Sequence, residues 1–131
     1  MNKICTDIEQ SKKLIELGVD ANTADMCHRY RWSNNSFINL PCAEKAREPI
    51  TGDIPAWSLS ALLELIPPYL GEFGEGIDFG FGKAMNGKWY SAHYLQYFQN
   101  GDVDSVKTVT GDTAVDAAFE MVVWLKENGK I

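Results

Sequence analysis

The sequence predicts an α+β domain in which an antiparallel β-meander of about four to five short strands packs against three α-helices. Apolar residues recur at helical spacing near both ends and in the middle of the chain, and they alternate with polar residues in the segments between. The length of 131 residues is that of one ordinary domain. We therefore expect residues 1–131 to form a single globular α+β domain.

The composition is that of a folded, acidic protein. Hydrophobic residues make up 45% and charged residues 23% of the chain, as in ordinary globular domains. Twelve Lys and Arg against eighteen Asp and Glu give a net charge of −6, which leaves little basic surface to neutralise a nucleic-acid backbone. No apolar run approaches the roughly 20 residues that span a bilayer. The sequence therefore favours neither a nucleic-acid partner nor a membrane segment.

The three cysteines, Cys5, Cys27 and Cys42, have no spacing typical of a zinc site or of a disulfide framework. No metal ion and no cofactor are predicted. The chain turns polar directly after Met1, so no secretory signal is indicated. Free thiols suit a reducing compartment, and the expected location is the cytoplasm.

A first helix is predicted from Asp7 to Leu17. Thr6 followed by Glu9 is typical of a capping box, and Gly18 suits the position after the helix end. Residues 20–26 should form a turn or one helical turn. The buried face of the helix is expected to comprise Ile4, Ile8, Leu14, Ile15 and Leu17.

Two strands, from Cys27 to Trp32 and from Phe37 to Leu40, are predicted on either side of a polar turn at residues 33–36. A loop from Pro41 to Pro55 follows. Its 15 residues are long for a compact domain. The loop is therefore functional, or mobile, or contains an element that the pattern does not reveal.

The second helix is predicted from Leu59 to Ile66. Ser58 suits the N-cap, and Trp57 can pack on Leu62 as a hydrophobic staple. Two prolines directly after the helix end it, because proline cannot continue a helix.

The last helix is predicted from Thr113 to Asn128 and closes before Gly129. Apolar residues surround nearly its whole circumference, so it is either the central element of the core or it packs on a second chain. Asp116 and Glu120 lie one turn apart and are expected to mark its solvent side rather than an acid–base pair.

Three antiparallel strands are predicted between these helices, at residues 77–81, 88–98 and 103–110. Asn86-Gly87 predicts a two-residue type I′ turn between the first two strands, and Asn100-Gly101 predicts the next turn. The glycine-rich residues 71–76 precede a strand and lack the lysine of a phosphate-binding loop. They are therefore expected to permit tight turns.

The strand at residues 88–98 carries the main candidate site. Successive side chains of a strand point to opposite faces, so Trp89 and Tyr97 should share one face, and Tyr90 and Tyr94 the other. One pair should pack beneath the helices. The other pair, where exposed, would form an aromatic face of the kind that binds proteins, bases or sugars.

His93, on the same strand, offers an alternative. With Asp78 and nearby tyrosines it could line a pocket for catalysis or for a nucleotide or another small ligand. His28 does not form a catalytic dyad with Cys27, because neighbours on a strand point to opposite faces. A structural or surface role is the simpler interpretation of both histidines.

Arg29 and Arg31 lie beside His28 in the one basic spot of the chain. They would share a strand face and could hold a carboxylate or a phosphate. A solvated face, or ion pairs with neighbouring acids, is the simpler interpretation.

Three segments together resemble small proteins of phages and prophage-like elements of gut anaerobic bacteria. They are SKKLIELGVDANTADM (Ser11 to Met26), IPAWSLSALLELIP (Ile54 to Pro67) and AVDAAFEMVVWLKENGKI (Ala114 to Ile131), about a third of the chain. The resemblance implies an accessory protein inside a bacterial host and supplies no catalytic residue. The function expected is a non-enzymatic binding or adaptor module that binds a protein or self-associates. The alternative is a small enzyme or ligand-binding protein with its site near His93.

Overall fold

The computed structural model describes residues 3–31, 33, 35–41, 53–71 and 76–131. The described chain has three helices and two three-stranded antiparallel sheets, so the α+β class and the three helices are confirmed. A single meander of about four to five strands was expected, and here the structure differs, because its strands are divided between two sheets. The elements are α1 (Ile8–Glu16), β1 (Met26–Arg31), β2 (Ser36–Pro41), β3 (Ile54–Ala56), α2 (Leu59–Leu65), β4 (Ile77–Lys83), β5 (Tyr90–Tyr97), β6 (Val103–Gly111) and α3 (Ala114–Glu127).

The first sheet has the strand order β2-β1-β3, and the second has the order β4-β5-β6. The second sheet is the three-stranded meander that the sequence predicts. Strand β3 was not expected, because two of its three residues, Ile54 and Pro55, lie at the end of the predicted loop. It is held by antiparallel pairing with β1. Residues 42–52 of that loop, Trp32, Asn34 and residues 72–75 of the glycine-rich stretch lie outside the described residues.

The N-cap of helix α1 lies one residue later than predicted. Asp7 is the N-cap, its carboxylate accepts the Gln10 N–H at 2.8 Å, and the Gln10 side chain accepts the Asp7 N–H at 3.0 Å. Thr6 is instead buried, and its hydroxyl oxygen accepts the Trp57 N–H at 3.0 Å and lies 2.8 Å from the Ser11 hydroxyl. The threonine therefore joins the N-terminal segment to the chain after β3, and the carboxylate next to it caps the helix.

The buried face of α1 also differs from the predicted stripe. Ser11 and Leu14 are its buried residues, whereas Ile4 is 55% and Ile15 41% exposed. The side of α1 that contacts β3 is the buried one. The N-terminal segment is joined to the same region by Thr6, which bonds to Trp57, and not by Ile4.

The hairpin between β4 and β5 does not contain the predicted type I′ turn. Ala84 N–H donates to the Trp89 carbonyl at 2.8 Å, and Gly87 N–H donates to the Ala84 carbonyl at 2.8 Å, so the connection is wider than two residues. Gly87 has a φ of 71°, but Asn86 has no positive φ, which a type I′ turn requires. Asn86 instead uses its side-chain oxygen to accept the Lys88 N–H.

Helix α3 is the central element of the core, which favours the first of the two interpretations of its apolar circumference. It packs against β5, β6 and α2. Thr113 caps it by accepting the Asp116 N–H at 3.1 Å, and Gly129 follows it with a φ of 66°. Its buried residues are Val115, Ala117, Ala118, Phe119, Met121, Val122 and Leu125.

Helix α2 forms the other layer of this core, and its predicted N-cap, Ser58, is confirmed. The Ser58 hydroxyl accepts the Ala61 N–H at 3.2 Å. Trp57 and Leu62, the two residues of the predicted staple, are fully buried in the same core cluster as α3. The second sheet is thus covered on one face, which leaves its other face to be considered.

Candidate functional site

Strand β5 presents one buried and one open face. Ala92 and Tyr94 are fully buried on the inner face, which packs against α3. Trp89 and Tyr97 are 42% and 51% exposed, and His93 is half-buried between them. The structure thus separates the aromatic residues in the two pairs that strand periodicity predicts, and it places Trp89 and Tyr97 outside.

Tyr94 is part of the core. Its hydroxyl donates to the Pro67 carbonyl at 2.6 Å, and this bond ties the middle of β5 to the chain after α2. Its ring centroid lies 5.4 Å from that of Phe79 and 6.3 Å from that of Trp124. Burial raises the pKa of Tyr94 to about 12. Of the predicted site residues, Tyr94 is therefore the one that a partner cannot reach without unfolding the sheet.

Tyr90 also turns inward but is only half-buried. Its ring stacks on Phe81 with centroids 6.3 Å apart, and the Lys83 ammonium lies 5.7 Å from its centroid. The cation–π contact holds Tyr90 against β4 at the hairpin end of the sheet.

His93 lies at the centre of the outer face and crosses over its cross-strand partner Gly80. A Cβ atom added to Gly80 would stand 2.3 Å from the His93 Nε2. The glycine is therefore needed for the imidazole to lie flat on β4. Within the described part of the chain, no hydrogen bond or ion pair holds the His93 side chain.

The outer face around His93 is small and polar. The β4 side presents Gly80 and Gly82, and the register places the β6 residues Thr108 and Thr110 opposite His93 and Ser91. The Thr108 hydroxyl lies 2.8 Å from that of Ser105, across a bulge in β6. Aromatic side chains stand at the two ends of this hydroxyl-rich surface, which we name the outer face: Asp78, Gly80, Gly82, Trp89, Ser91, His93, Leu95, Tyr97, Ser105, Thr108 and Thr110.

Asp78 lies on the outer face, and no hydrogen bond joins it to His93 within the described chain. It pairs with Leu95, so it is a diagonal neighbour of His93, and such neighbours are about 7–8 Å apart. An open hollow does occur at the far end of the sheet, where it is lined by Phe98, Asn100, Asp102, Val103 and Asp104. The hollow does not include His93.

Arg29 and Arg31 lie in the first sheet, on β1 rather than on β5. The Arg29 Nε and Nη2 atoms lie 3.0 and 2.8 Å from the two carboxylate oxygens of Asp53, whose side chain is 5% exposed. This bidentate pair already occupies the guanidinium, in agreement with the simpler interpretation of an ion pair. Arg31 is exposed at the end of β1.

His28 is structural. It is buried, and its Nε2 donates to the Thr6 carbonyl at 2.7 Å. The bond fixes the N-terminal segment on β1, so this imidazole is not available for a ligand.

One polar cluster was missed by sequence reasoning. The Lys3 Nζ lies 2.7 Å from the Asp116 Oδ1 and 2.8 Å from the Gln10 Oε1, and the Gln10 Nε2 donates to the same Asp116 oxygen at 2.9 Å. Asp116 is therefore half-buried and does not mark the solvent side of α3, although Glu120 does. No local pattern could reveal this cluster, because Lys3 and Asp116 are 113 residues apart.

The electrostatics of the cluster are those of a structural clasp. Burial acts to raise the pKa of Asp116, but hydrogen bonds from Lys3, Gln10 and Thr113 outweigh it and lower the pKa. Burial likewise acts to lower the pKa of Lys3, and the bonds to Asp116 and Asp7 raise it overall. The charged forms are thus favoured in the fold.

Three wider findings complete the description of the chain. No described helix has both the length and the apolar character needed to cross a membrane. Among the residues with described positions, no three His, Cys, Asp or Glu side chains converge to hold a metal ion. No family model, no curated protein and no solved structure matches the chain.

Proposed function

We propose that the protein is a non-enzymatic binding or adaptor module that recognises another protein through the outer face. The observation that carries this proposal is the asymmetry of the second sheet. Its inner face is packed on α3, whereas Trp89, Tyr97 and the residues around His93 stay exposed or half-buried on the other side. An exposed sheet face with aromatic residues at its ends is chemically suited to a protein partner.

The chemistry of the outer face favours a protein over a small ligand. Small-molecule sites are concave and bury most of the ligand. The outer face is instead the open surface of a sheet, and at Gly82, near the hairpin end of β4, no side chain and no neighbouring atom covers it. A partner backbone can therefore approach closely there, while Trp89 and Tyr97 provide apolar anchors of the kind that dominate interface energies.

The proposed setting is the cytoplasm of a bacterial host, in a protein of phage or mobile-element origin. Cys5 and Cys27 are free and buried, which suits a reducing compartment. The net charge of −6 supports a protein partner rather than a nucleic acid. The segments that resemble phage proteins contain most of α1 and all of β3, α2 and α3, so they support the scaffold rather than the surface.

The alternative of a small-ligand or catalytic site at His93 rests on one observation. The His93 imidazole has no hydrogen-bond partner among the described residues, and Asp78 shares its face. The distance expected between them and the absence of walls around them weaken this alternative, because a general base needs its partners within hydrogen-bond reach.

Alanine variants of the two exposed aromatic residues test the proposal. The wild-type protein is immobilised, its partner is captured from bacterial lysate, and the purified partner is then titrated calorimetrically. We expect Trp89→Ala with Tyr97→Ala to weaken binding at least about tenfold, as the loss of interface anchors does.

The matched control is Ile4→Ala with Ile15→Ala, which removes two comparably exposed apolar side chains on the N-terminal side of the molecule. This control should bind like the wild type. Equal binding by the two double variants would show that the outer face is not the recognition surface.

A further inference from the structure

The outer edge of β4 is occupied at its start by the chain itself. The Phe79 N–H donates to the Pro68 carbonyl at 2.9 Å, and the Leu70 N–H donates to the Ile77 carbonyl at 3.0 Å. In an antiparallel sheet, alternate residues turn their N–H and C=O groups to opposite sides. Ile77 and Phe79 therefore face away from β5, and the segment from Pro68 to Leu70 covers the start of this edge.

The same alternation determines which groups of β6 face outward. Gly80 lies between Phe79 and Phe81, whose backbone groups face outward by this alternation. The Gly80 backbone therefore faces β5 and pairs with that of His93. Ala92, next to His93, then faces β6, where it pairs with Val109. The backbone of Val109 is thus used inside the sheet, and the residues on either side of it face the open edge.

Those two residues are Thr108 and Thr110, and both are exposed. Within the described chain, no backbone or side-chain group takes up their outward N–H and C=O groups. The bulge opposite Tyr94 and Leu95 ends this regular stretch, which therefore extends from Lys107 to Gly111. An unpaired edge of this kind is a template for another strand.

The charges at the two ends of this edge, on Lys107 and Asp112, indicate which strand can pair with it. Lys107 lies in the edge strand, where a lysine normally discourages pairing, and it has no ion-pair partner among the described residues. Asp112, directly after β6, is exposed and equally without an ion-pair partner there. A second copy of β6, running antiparallel with Val109 opposite its own copy, places Lys107 opposite Gly111, the residue that precedes Asp112 in the sequence.

We propose that β6 pairs antiparallel with β6 of a second copy of this chain, in the register centred on Val109. Thr108 then pairs with Thr110 of the second copy through backbone hydrogen bonds, and each Lys107 lies opposite the Gly111 that precedes an Asp112, which brings opposite charges close together. Cross-strand threonine pairs and opposite charges both stabilise a sheet. Because the same strand of each copy is used, pairing at β6 occupies this edge in both copies and closes a two-fold dimer rather than propagating into a filament.

This edge is a different surface from the anchors of the outer face, and its test does not depend on the proposed function. Strand pairing alone buries less area than a standard interface, so we expect a weak dimer with a Kd on the order of 0.1 mM. Sedimentation at increasing concentration should show a species of about twice the 14.6 kDa monomer mass.

Charge exchange tests the register. We expect Lys107→Asp and Asp112→Lys each to weaken self-association about tenfold, because each replaces two attractive pairs with repulsive ones. An equimolar mixture of the two variants should regain the wild-type affinity, since both pairs are attractive in the mixed dimer. A variant that only misfolds would not recover on mixing.

Amide hydrogen exchange gives a second readout on the wild-type protein. The Thr108 and Thr110 amides should become protected as concentration rises, whereas the Val109 amide, bonded within the sheet, should be protected throughout. A protein that stays monomeric up to about 1 mM would overturn the proposal, because edge pairing would then be negligible. A mixture that associates no better than its components would overturn it as well.

Discussion

Gly80 and His93 depend on each other, because the imidazole occupies the space in which a Cβ at Gly80 would lie. We expect Gly80→Ala to lower the free energy of unfolding by about 1–2 kcal/mol, since overpacking displaces the ring. Gly82→Ala is the matched control, because an added Cβ there meets no atom within 4 Å. Chemical denaturation measures both.

The double variant Gly80→Ala with His93→Ala separates this cause from a backbone effect. Removal of the ring should restore most of the stability that Gly80→Ala loses. If the double variant is as unstable as Gly80→Ala alone, the contact with the imidazole is not the reason for the glycine.

Tyr94 provides a second prediction for a single residue. Tyr94→Phe leaves the partly buried Pro67 carbonyl without its donor, so we expect a loss of about 1–2 kcal/mol in the free energy of unfolding. Tyr97→Phe should change stability little, because Tyr97 is exposed and Tyr97 makes no side-chain hydrogen bond within the described chain.

The loss of stability at high pH provides a test for the buried Tyr94 hydroxyl. Its pKa is raised from 10.0 to about 12 in the fold, so the unfolded chain releases this proton first as pH rises. The stability is therefore fully present below pH 10 and falls between about pH 10 and 12. Denaturation across this interval should show a smaller decline in Tyr94→Phe than in the wild type.

At the level of elements, the clasp formed by Lys3, Gln10 and Asp116 joins α1 to the start of α3. Asp116→Asn should lower the free energy of unfolding by about 1–2 kcal/mol, since it removes charge-assisted hydrogen bonds. Glu120→Gln, one turn further along the same helix and exposed, is the control and should be neutral.

The clasp also has a definite pH signature. The pKa of Asp116 is lowered in the fold, so its contribution is present above the ordinary pKa of an aspartate and is lost as pH falls through the lowered value. The free energy of unfolding should therefore fall less as pH is lowered in Asp116→Asn than in the wild type. An unchanged acid profile would show that the carboxylate is not charged in the clasp.

The elements that the sequence predicts well are those with local signals. The caps at Ser58 and Thr113 lie next to the helices that they cap, so their pattern is complete within a few residues. The N-cap of α1 was predicted at Thr6, but Asp7 takes this position. The prediction was wrong because the Thr6 hydroxyl accepts a hydrogen bond from Trp57, which lies 51 residues away. Strand β3 was missed for the same reason, since only β1 makes it a strand.

The candidate site was predictable in part. Strand periodicity assigns Trp89 and Tyr97 to one face and Tyr94 to the other, but the position of α3 decides which face is buried. The open edge of β6 was not predicted at all. Its outward groups follow from hydrogen bonds that begin at Phe79, on the opposite side of the sheet.

For the whole molecule, the two proposed surfaces reinforce each other. Pairing at β6 would extend the second sheet across the two-fold axis and place both outer faces on the same side. A repetitive or two-fold partner could then contact two copies at once, and its second contact would form at high effective concentration. The dimer would in this way bind such a partner more tightly than a single outer face does, without any change in the residues of that face.

The clasp has a kinetic consequence. Strands β4, β5 and β6 and helix α3 follow one another along the chain, so their contacts close short loops, whereas Lys3 must find Asp116 across 113 residues. Short loops close at lower entropic cost and therefore sooner. The C-terminal half should thus assemble first and offer Asp116 as a docking point, and the N-terminal segment should arrive last to seal the fold.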